Sequence, residues 1–415
     1  MDLSKPQKVL IISSGQPSLN PRLVKEADAL AEDGYDVLVI YAYWNEWGTQ
    51  LDERLLPTKK WKSIRAGGDP KQKPARYFVS RLINRIAIIL VKKYRQMEFA
   101  DRAISRASYF LTAEAKKHCA DLYIAHNLGA LPAAVKAAKK FNKLCGFDAE
   151  DFHRYEVTND VNDPDVILKT YIENKYLPQT NYLTASSPQI AAAYQQLFAG
   201  KTPLTLLNVF CKSDQPEISS ADPDAPLKIF WFSQTIGYSR GLEDIIETLG
   251  LLKEYSFELH LLGDLPEGAF KNYLLRQQTV NNLKIFIYPP ISSVSITAFA
   301  ATFDIGLALE PAFSMNNDLA LSNKLFTYLQ AGLALIASDT TAQLAFINQY
   351  PAIGRWYAKG DRNSLAEMLV YYYKNREALL QARRAALQLA HTTLNWETES
   401  VKFLNLVKQT IEQFH

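Results

Sequence analysis

Two short stretches of this chain carry cations close to the start of a helix, and both could hold an anion. Ser322-Asn323-Lys324 follows the apolar run Ile305 to Leu309 and a polar loop. It precedes an amphipathic run with Leu325, Phe326, Tyr328 and Leu329. The first N–H groups of a helix lack partners within it, and the macrodipole adds positive potential, so an anion is stabilised there. Ser and Asn are also preferred caps, so the same residues fit a plain capped helix. The second stretch is QTIGYSRGLE, Gln234 to Glu243, in which Gly237 and Gly241 flank Arg240. A flexible loop between a strand and a helix can bring a guanidinium to a diphosphate, whose oxygens match its fork. The plainer alternative is a turn with a solvated arginine. Together, Arg240 and Lys324 are two cations from separate loops that could converge on one leaving group.

The elements that must position them follow one pattern, twice. Lys8 to Ile12 reads as a buried strand, and Ser13 to Asn20 as a loop. Pro21 to Asp33 reads as a helix, with Leu23, Ala27, Leu30 and Ala31 at helical spacing and Gly34 at its end. Asp36 to Tyr41 is the next strand, and this β-loop-α-β opening is a unit of a parallel, doubly wound sheet. Further strands are expected at Asp121 to Ala125, Leu144 to Phe147, Tyr182 to Ala185 and Leu204 to Leu207. The helix Pro188 to Phe198 lies between the last two. EISSADPDAP, Glu217 to Pro226, is polar and aperiodic and reads as a linker. The pattern then restarts with strands at Lys228 to Phe232, Glu258 to Leu262, Leu283 to Ile287, Ile305 to Leu309 and Leu333 to Ala337. Helices are expected at Gly241 to Lys253 and Ser295 to Ala301, and two long ones, Asn363 to Ala390 and Glu397 to His415, close the chain. The expected division is 1–215, a linker at 216–226, and 227–392. Two such units place a cleft between them, lined by the carboxyl ends of both sheets.

Composition narrows the function classes. The 415 residues suffice for two domains, and 48% hydrophobic content supports large cores. The net charge of +3 gives no global signal for nucleic acid. Cys119, Cys145 and Cys211 are scattered, which suits a reducing compartment. The six His residues form no paired cluster, so no protein-bound metal is expected. No long apolar run spans a membrane, and Val9 to Ile12 is too short for a signal peptide, so a soluble cytoplasmic protein is expected. Residues 59–106 stand apart, with 14 Lys or Arg against Asp69, Glu98 and Asp101. Within them Tyr77 to Tyr94 can form a helix with apolar Phe78, Leu82, Ile86, Ile89 and Leu90 and basic Arg81, Arg85, Lys92 and Lys93. That suits an anionic membrane surface, or else a solvated basic face on a helix docked to its own domain. The glycine-rich fingerprint of dinucleotide sites is absent.

The chain resembles the GT-B glycosyltransferases of the large "glycosyl transferases group 1" type, often called family 4. SNKLFTYLQAGLALIASD is similar to the family's SNKLFEYLAAGLPVIASD, and QTIGYSRGLE resembles GTIGxxRGLE. DLYIAHNLGALPAA and the opening VLIISSGQPSLNPRLVKEADALAEDGYDVLVI add to the likeness, which covers nearly the whole chain. The resemblance implies two Rossmann-like doubly wound domains, with residues 393–415 a helix returning to the first. It implies transfer of a sugar from a nucleotide-diphosphate donor to a hydroxyl of a glycan or lipid-linked glycan, with retention and without metal or other cofactor. The second half would bind the donor and the first the acceptor, in a bacterial, cytoplasmic enzyme of polysaccharide biosynthesis at the inner face of the plasma membrane.

At matching positions the resemblance implies that Arg240 and Lys324 neutralise the diphosphate while Ser322 and Asn323 hold its oxygens. Gly15 and its loop would lie against donor phosphate and acceptor. His126, Asp148 and Asp151 are the candidates near the reacting sugar, from AHN and from DAEDFH, which resembles the family's DxHE. A carboxylate at a strand's carboxyl end could take the acceptor hydroxyl's proton; helix caps or structural hydrogen bonds are the alternatives. The sequence departs from the pattern at three places. Asn127 replaces an Asp, and Leu319 and Thr327 stand where many members carry Glu. The second Glu grips the nucleotide ribose, and one hydroxyl cannot accept two hydrogen bonds as a carboxylate does. Thr327 and nearby Glu310 are therefore the nucleoside-side candidates. A nucleotide-sugar 2-epimerase and a GT-B donor-binding scaffold without catalysis are the competing readings.

Overall fold

The computed structural model describes residues 6–212, 216, 218 and 225–413, so most of the expected linker lies outside the described residues. The chain divides into two compact units. One comprises the residues up to Leu207, Ser314–Asn316 and those from Glu399 onward; the other comprises Asn208–Phe313 and Asn317–Thr398.

The first unit is built on a sheet of β1 (Lys8–Ser13), β2 (Asp36–Ala42), β3 (Lys62–Ala66), β4 (Leu122–His126), β5 (Leu144–Ala149), β6 (Tyr182–Ala185) and β7 (Leu204–Thr205), in the order β3-β2-β1-β4-β5-β6-β7. The second holds β8 (Leu227–Thr235), β9 (Phe257–Asp264), β10 (Lys284–Tyr288), β11 (Ile305–Ala308), β12 (Ala334–Ser338) and β13 (Gly354–Tyr357), in the order β10-β9-β8-β11-β12-β13. Neighbouring strands run parallel throughout. Helices cover such strands on both faces, which is why the central ones read as continuous apolar runs. Val9, Ile11, Ile124 and Leu144 lie in the core of the first unit; Ile229, Trp231, Ile305 and Ile336 lie in that of the second. The closing helix Trp396–Glu412 sends Phe403, Val407 and Ile411 into the first core.

Three elements depart from the sequence reading. β3 and β13 had no strand signal, because both are edge strands: KSIRA is charged and only partly covered, and GRWY is short. The expected single helix Asn363 to Ala390 is two, Arg362–Lys374 and Arg376–Thr392. Between them Asn375 takes a non-helical conformation (φ −122°, ψ 70°), and its side-chain amide donates to the Tyr371 carbonyl at 2.8 Å. A side chain bonding its own preceding turn competes with continuation of the helix.

One packing contact positions the helix Asn323–Ala331. The Tyr328 ring lies on Gly306 of β11 so closely that a Cβ there would come within 2.3 Å of its Cγ. The Tyr328 hydroxyl donates to the Leu307 carbonyl at 3.0 Å, and Gly332, in the left-handed conformation at φ 65°, ends the helix. Strand-to-helix spacing is therefore set by the absence of a side chain at Gly306. Gly306→Ala overpacks this contact and should cost about 1–3 kcal/mol. Equilibrium denaturation checks it, and wild-type stability would show that Tyr328 moves aside freely.

Candidate functional site

In a doubly wound sheet the loops diverge at the carboxyl ends of the strands where the order reverses, and ligands bind there. In the second unit the reversal lies between β8 and β11. The loop after β8 carries Arg240, which is exposed and donates to Ser233 Oγ at 3.0 Å. Gly241 is left-handed at φ 74°, and a Cβ on it would lie 2.6 Å from Leu309 Cβ. The Arg240 loop thus abuts the end of β11, one residue from Glu310. Lys324 Nζ sits 2.7 Å from Glu310 Oε1 and 3.5 Å from Ser322 Oγ, with the Trp231 ring 5.7 Å away. Ser322 caps the helix by accepting from Lys324 N at 3.4 Å. Glu310 Oε2 accepts from Asn317 at 3.1 Å. Burial works to raise the Glu310 pKa, but Lys324, by charge and hydrogen bond, holds it below the usual range, aided by Asn317 and Ser322.

The structure therefore brings Ser322, Lys324 and Glu310 together and sets the Arg240 loop beside them. Asn323 is at the same helix start, and its side-chain oxygen accepts from Asn208 at 3.1 Å. Thr327 lies one turn further along the same helix, where it is buried and its hydroxyl donates to the Asn323 carbonyl at 3.2 Å.

In the first unit the reversal lies between β1 and β4. Ser14 after β1 meets Asn127 after β4: Ser14 N donates to Asn127 Oδ1 at 3.2 Å, and the Ser14 hydroxyl donates to it at 2.5 Å. Asn127 is left-handed at φ 60°, a conformation that Asn tolerates better than most residues. Gly15 N donates to Ser13 Oγ at 3.1 Å, and a Cβ on Gly15 would meet nothing closer than 3.9 Å. Packing within the unit therefore does not demand a glycine at this position.

His126 and Asp148 lie beneath these loops, fully buried. Arg22 forks onto both Asp148 oxygens at 2.6 and 2.7 Å, and Thr184 donates to Oδ1 at 2.5 Å. His126 Nε2 is 3.0 Å from Glu26, and Nδ1 is 3.2 Å from Glu150 and 3.4 Å from Asp148. Burial opposes the charged imidazole, but Glu26, Glu150 and Asp148 outweigh it and push the His126 pKa up to about 10. Burial would also raise Asp148, yet Arg22 and then His126 hold it down at about 2. Glu26, by contrast, is raised by its burial. Glu26, His126 and Asp148 are the grouping among the described residues that could ligate a cation, but the Arg22 guanidinium already occupies both oxygens of Asp148. The pair His126 and Asp148 is thus built to hold position and charge.

Two carboxylates in the same stretch reach further out. Asp151 is half-buried and accepts from Asn316 Nδ2 at 2.9 Å, and desolvation raises its pKa despite nearby His153. Glu150 was not singled out in the sequence, yet its side chain is 26% exposed and bonds the His126 imidazole, which makes it the solvent-facing end of the buried network. Asn20 Nδ2, whose oxygen caps the Pro21–Glu32 helix, also donates to it. The available signal was position: Glu150 is the first residue beyond β5, whereas Asp148 lies within the strand.

His126 carries a pH signature. Its folded pKa lies above the unfolded value near 6.5, so its contribution to stability is complete below pH 6.5 and is lost as pH rises towards 10. His126→Gln should lower stability at pH 6 by several kcal/mol, on the order of 3, because Glu26 and Asp148 lose a buried partner. It should also flatten the decline between pH 7 and 10. Thermal melts across pH check this, and an unchanged slope would mean the imidazole is neutral in the fold.

No family model matches the sequence, and no curated protein matches it. Solved structures do. Sucrose-phosphate synthase from Thermosynechococcus elongatus superposes with a TM-score of 0.69 at 14% identity, over 98% of this chain and 100% of that one. HepE of Anabaena in complex with UDP gives 0.69 at 13%, over 97% and 100%. A glycosyltransferase from Rickettsia africae gives 0.67 at 14%, over 98% and 99%. At such identity the likeness speaks to fold, and it shows the two-unit α/β architecture of GT-B glycosyltransferases along nearly the whole chain.

Proposed function

We propose that the protein is a glycosyltransferase that moves a sugar from a nucleotide-diphosphate donor to a hydroxyl of a glycan or lipid-linked glycan. The observation that carries this reading is the switch point of the second sheet, where Lys324 sits at a capped helix start beside the Arg240 loop. Two cations and the positive end of a helix dipole, directed at a departing diphosphate, stabilise the charge that develops as the glycosidic bond breaks. Such a site needs no metal, and the family resemblance adds retention of configuration. HepE was solved with UDP and with UDP-glucose, so uridine donors are the first to try.

Glu310 takes the nucleoside side. It stands in for the carboxylate that position 327 lacks, since the Thr327 hydroxyl is committed to its own helix. A diphosphate attracts Lys324 away from Glu310, and the freed carboxylate then accepts from the ribose hydroxyls. In the first unit Glu150 and Asp151 offer oxygens to the acceptor hydroxyl, with His126 and Asp148 holding Glu150 in place. Gly15 leaves room for the donor phosphate and acceptor. A lipid-linked acceptor goes with a cytoplasmic protein that meets an anionic membrane surface through residues 59–106.

The missing ribose carboxylate at Thr327 also favours a second reading, a donor-binding scaffold without turnover. A panel of nucleotide sugars separates these: transfer supports the proposal, binding without transfer or hydrolysis supports the scaffold, and C2 inversion of the free donor indicates an epimerase. Arg240→Ala and Lys324→Ala should each lower kcat/KM by about 100-fold or more. Lys324→Ala also strands Glu310, so Lys324→Ala with Glu310→Gln serves as its stability control. Near-normal turnover in both single variants would contradict the donor-site assignment.

A further inference from the structure

The helix Pro74–Tyr94 is turned the wrong way for an ordinary surface helix. An amphipathic helix normally buries its large apolar stripe and exposes its polar side. Here Phe78, Leu82, Ile86 and Ile89 are 72%, 51%, 49% and 53% exposed, while Ser80, Asn84, Ala87 and Val91 are buried. The exposed four recur at i, i+4, i+8 and i+11, one continuous stripe roughly 16 Å long. Docking instead relies on small and polar groups: Asn84 Nδ2 donates to the carbonyls of Arg102, Ala103 and Ser105 at 2.8, 3.1 and 3.0 Å. The outward stripe is thus held firmly in place by the opposite face.

Charge selects its occupant. The helix contains Arg76, Arg81, Arg85, Lys92 and Lys93 and no acidic residue. Arg85 and Lys93 are exposed alongside the stripe. Near its start Tyr77 meets Tyr43 edge-on at 5.5 Å, so the loop with exposed Trp44 adjoins it, and exposed Trp47 follows in the first turn of the helix Glu46–Leu55. Arg106 lies over the Trp44 ring at 4.6 Å. Apolar stripe, basic margin and Trp side chains are the combination that beds a helix in the headgroup region of an anionic bilayer. A second copy of the chain fits poorly, because a two-fold interface on this helix would set one all-basic margin against another.

We propose that this helix lies flat in an anionic membrane surface, with Phe78, Leu82, Ile86 and Ile89 inserted and the exposed Arg85 and Lys93 on lipid phosphates, while Lys92 stays paired with Asp165 at 3.6 Å. This rests on the lipid-linked acceptor reading for its purpose, though not for its geometry. Binding therefore has two components, and only one of them is screened by salt. The test is co-sedimentation of the full chain with phosphatidylcholine vesicles, with and without phosphatidylglycerol. The chain should partition onto the anionic vesicles. Leu82→Ser/Ile86→Ser/Ile89→Ser should reduce that partition by roughly tenfold or more, since each change removes apolar area from the interface. Arg85→Gln/Lys93→Gln should weaken binding at low salt and make it less salt-sensitive. Circular-dichroism melts confirm that the variants fold. Unchanged partition of the serine variant would overturn the proposal. So would no vesicle binding together with a dimer that Ile86→Ser dissolves. Loss of sugar transfer with vesicle binding intact would refute the transferase reading and leave this one standing.

Discussion

Everything chemically interesting in this chain follows from a constraint on parallel sheets. Strands added on either side of a central pair must be reached by connections running in opposite directions, so the loops at their carboxyl ends part. The parting falls between β1 and β4 in one unit and between β8 and β11 in the other. Ser14 and Asn127 bridge the first, and Gly241 packed on Leu309 closes the second. Residues far apart in sequence, such as Gly241 and Leu309, become neighbours because their strands are. The Tyr328–Gly306 contact then sets how far the helix bearing Lys324 stands from that strand end.

The two switch points handle charge differently. The first is supported by a buried set of opposite charges, Arg22 and His126 against Glu26, Asp148 and Glu150. Such a set contributes little net stability but penalises any arrangement that leaves one member unpaired. It is a device for holding Glu150 and the loop ends in one geometry. The second has an exposed guanidinium, Arg240, and a Lys324–Glu310 pair with both side chains partly exposed. An incoming diphosphate can compete for that lysine at a modest cost, since neither partner is sealed from water.

Much of this was legible in the sequence because central parallel strands announce themselves. Runs such as Lys8 to Ile12 and Ile305 to Leu309 are apolar on both faces, and glycines such as Gly332 mark helix ends. The edge strands β3 and β13 were not legible, since an edge carries charge and alternation too short to distinguish from a loop. That Ser322 and Lys324 stand at a helix start and Arg240 on a loop after a strand could be read because capping and loop chemistry are local. The role of Glu150 could not, because DAED offers three carboxylates in four residues and only tertiary structure says which points inward. Thr327 shows the reverse: its departure from the family pattern was visible, but that its hydroxyl is spent on its own helix was not. The sequence of the Pro74–Tyr94 helix fitted either a membrane surface or docking to its own domain, and its environment reveals that the apolar side faces out.

The central claim is that the switch point between β8 and β11 takes the diphosphate of a nucleotide. A structure of the chain with a nucleoside diphosphate bound tests it most directly. The account predicts phosphate oxygens within about 3 Å of the Lys324 ammonium and the Arg240 guanidinium, with Glu310 released from Lys324 towards the ribose. A nucleotide bound away from these residues, with the Lys324–Glu310 pair intact, would contradict it.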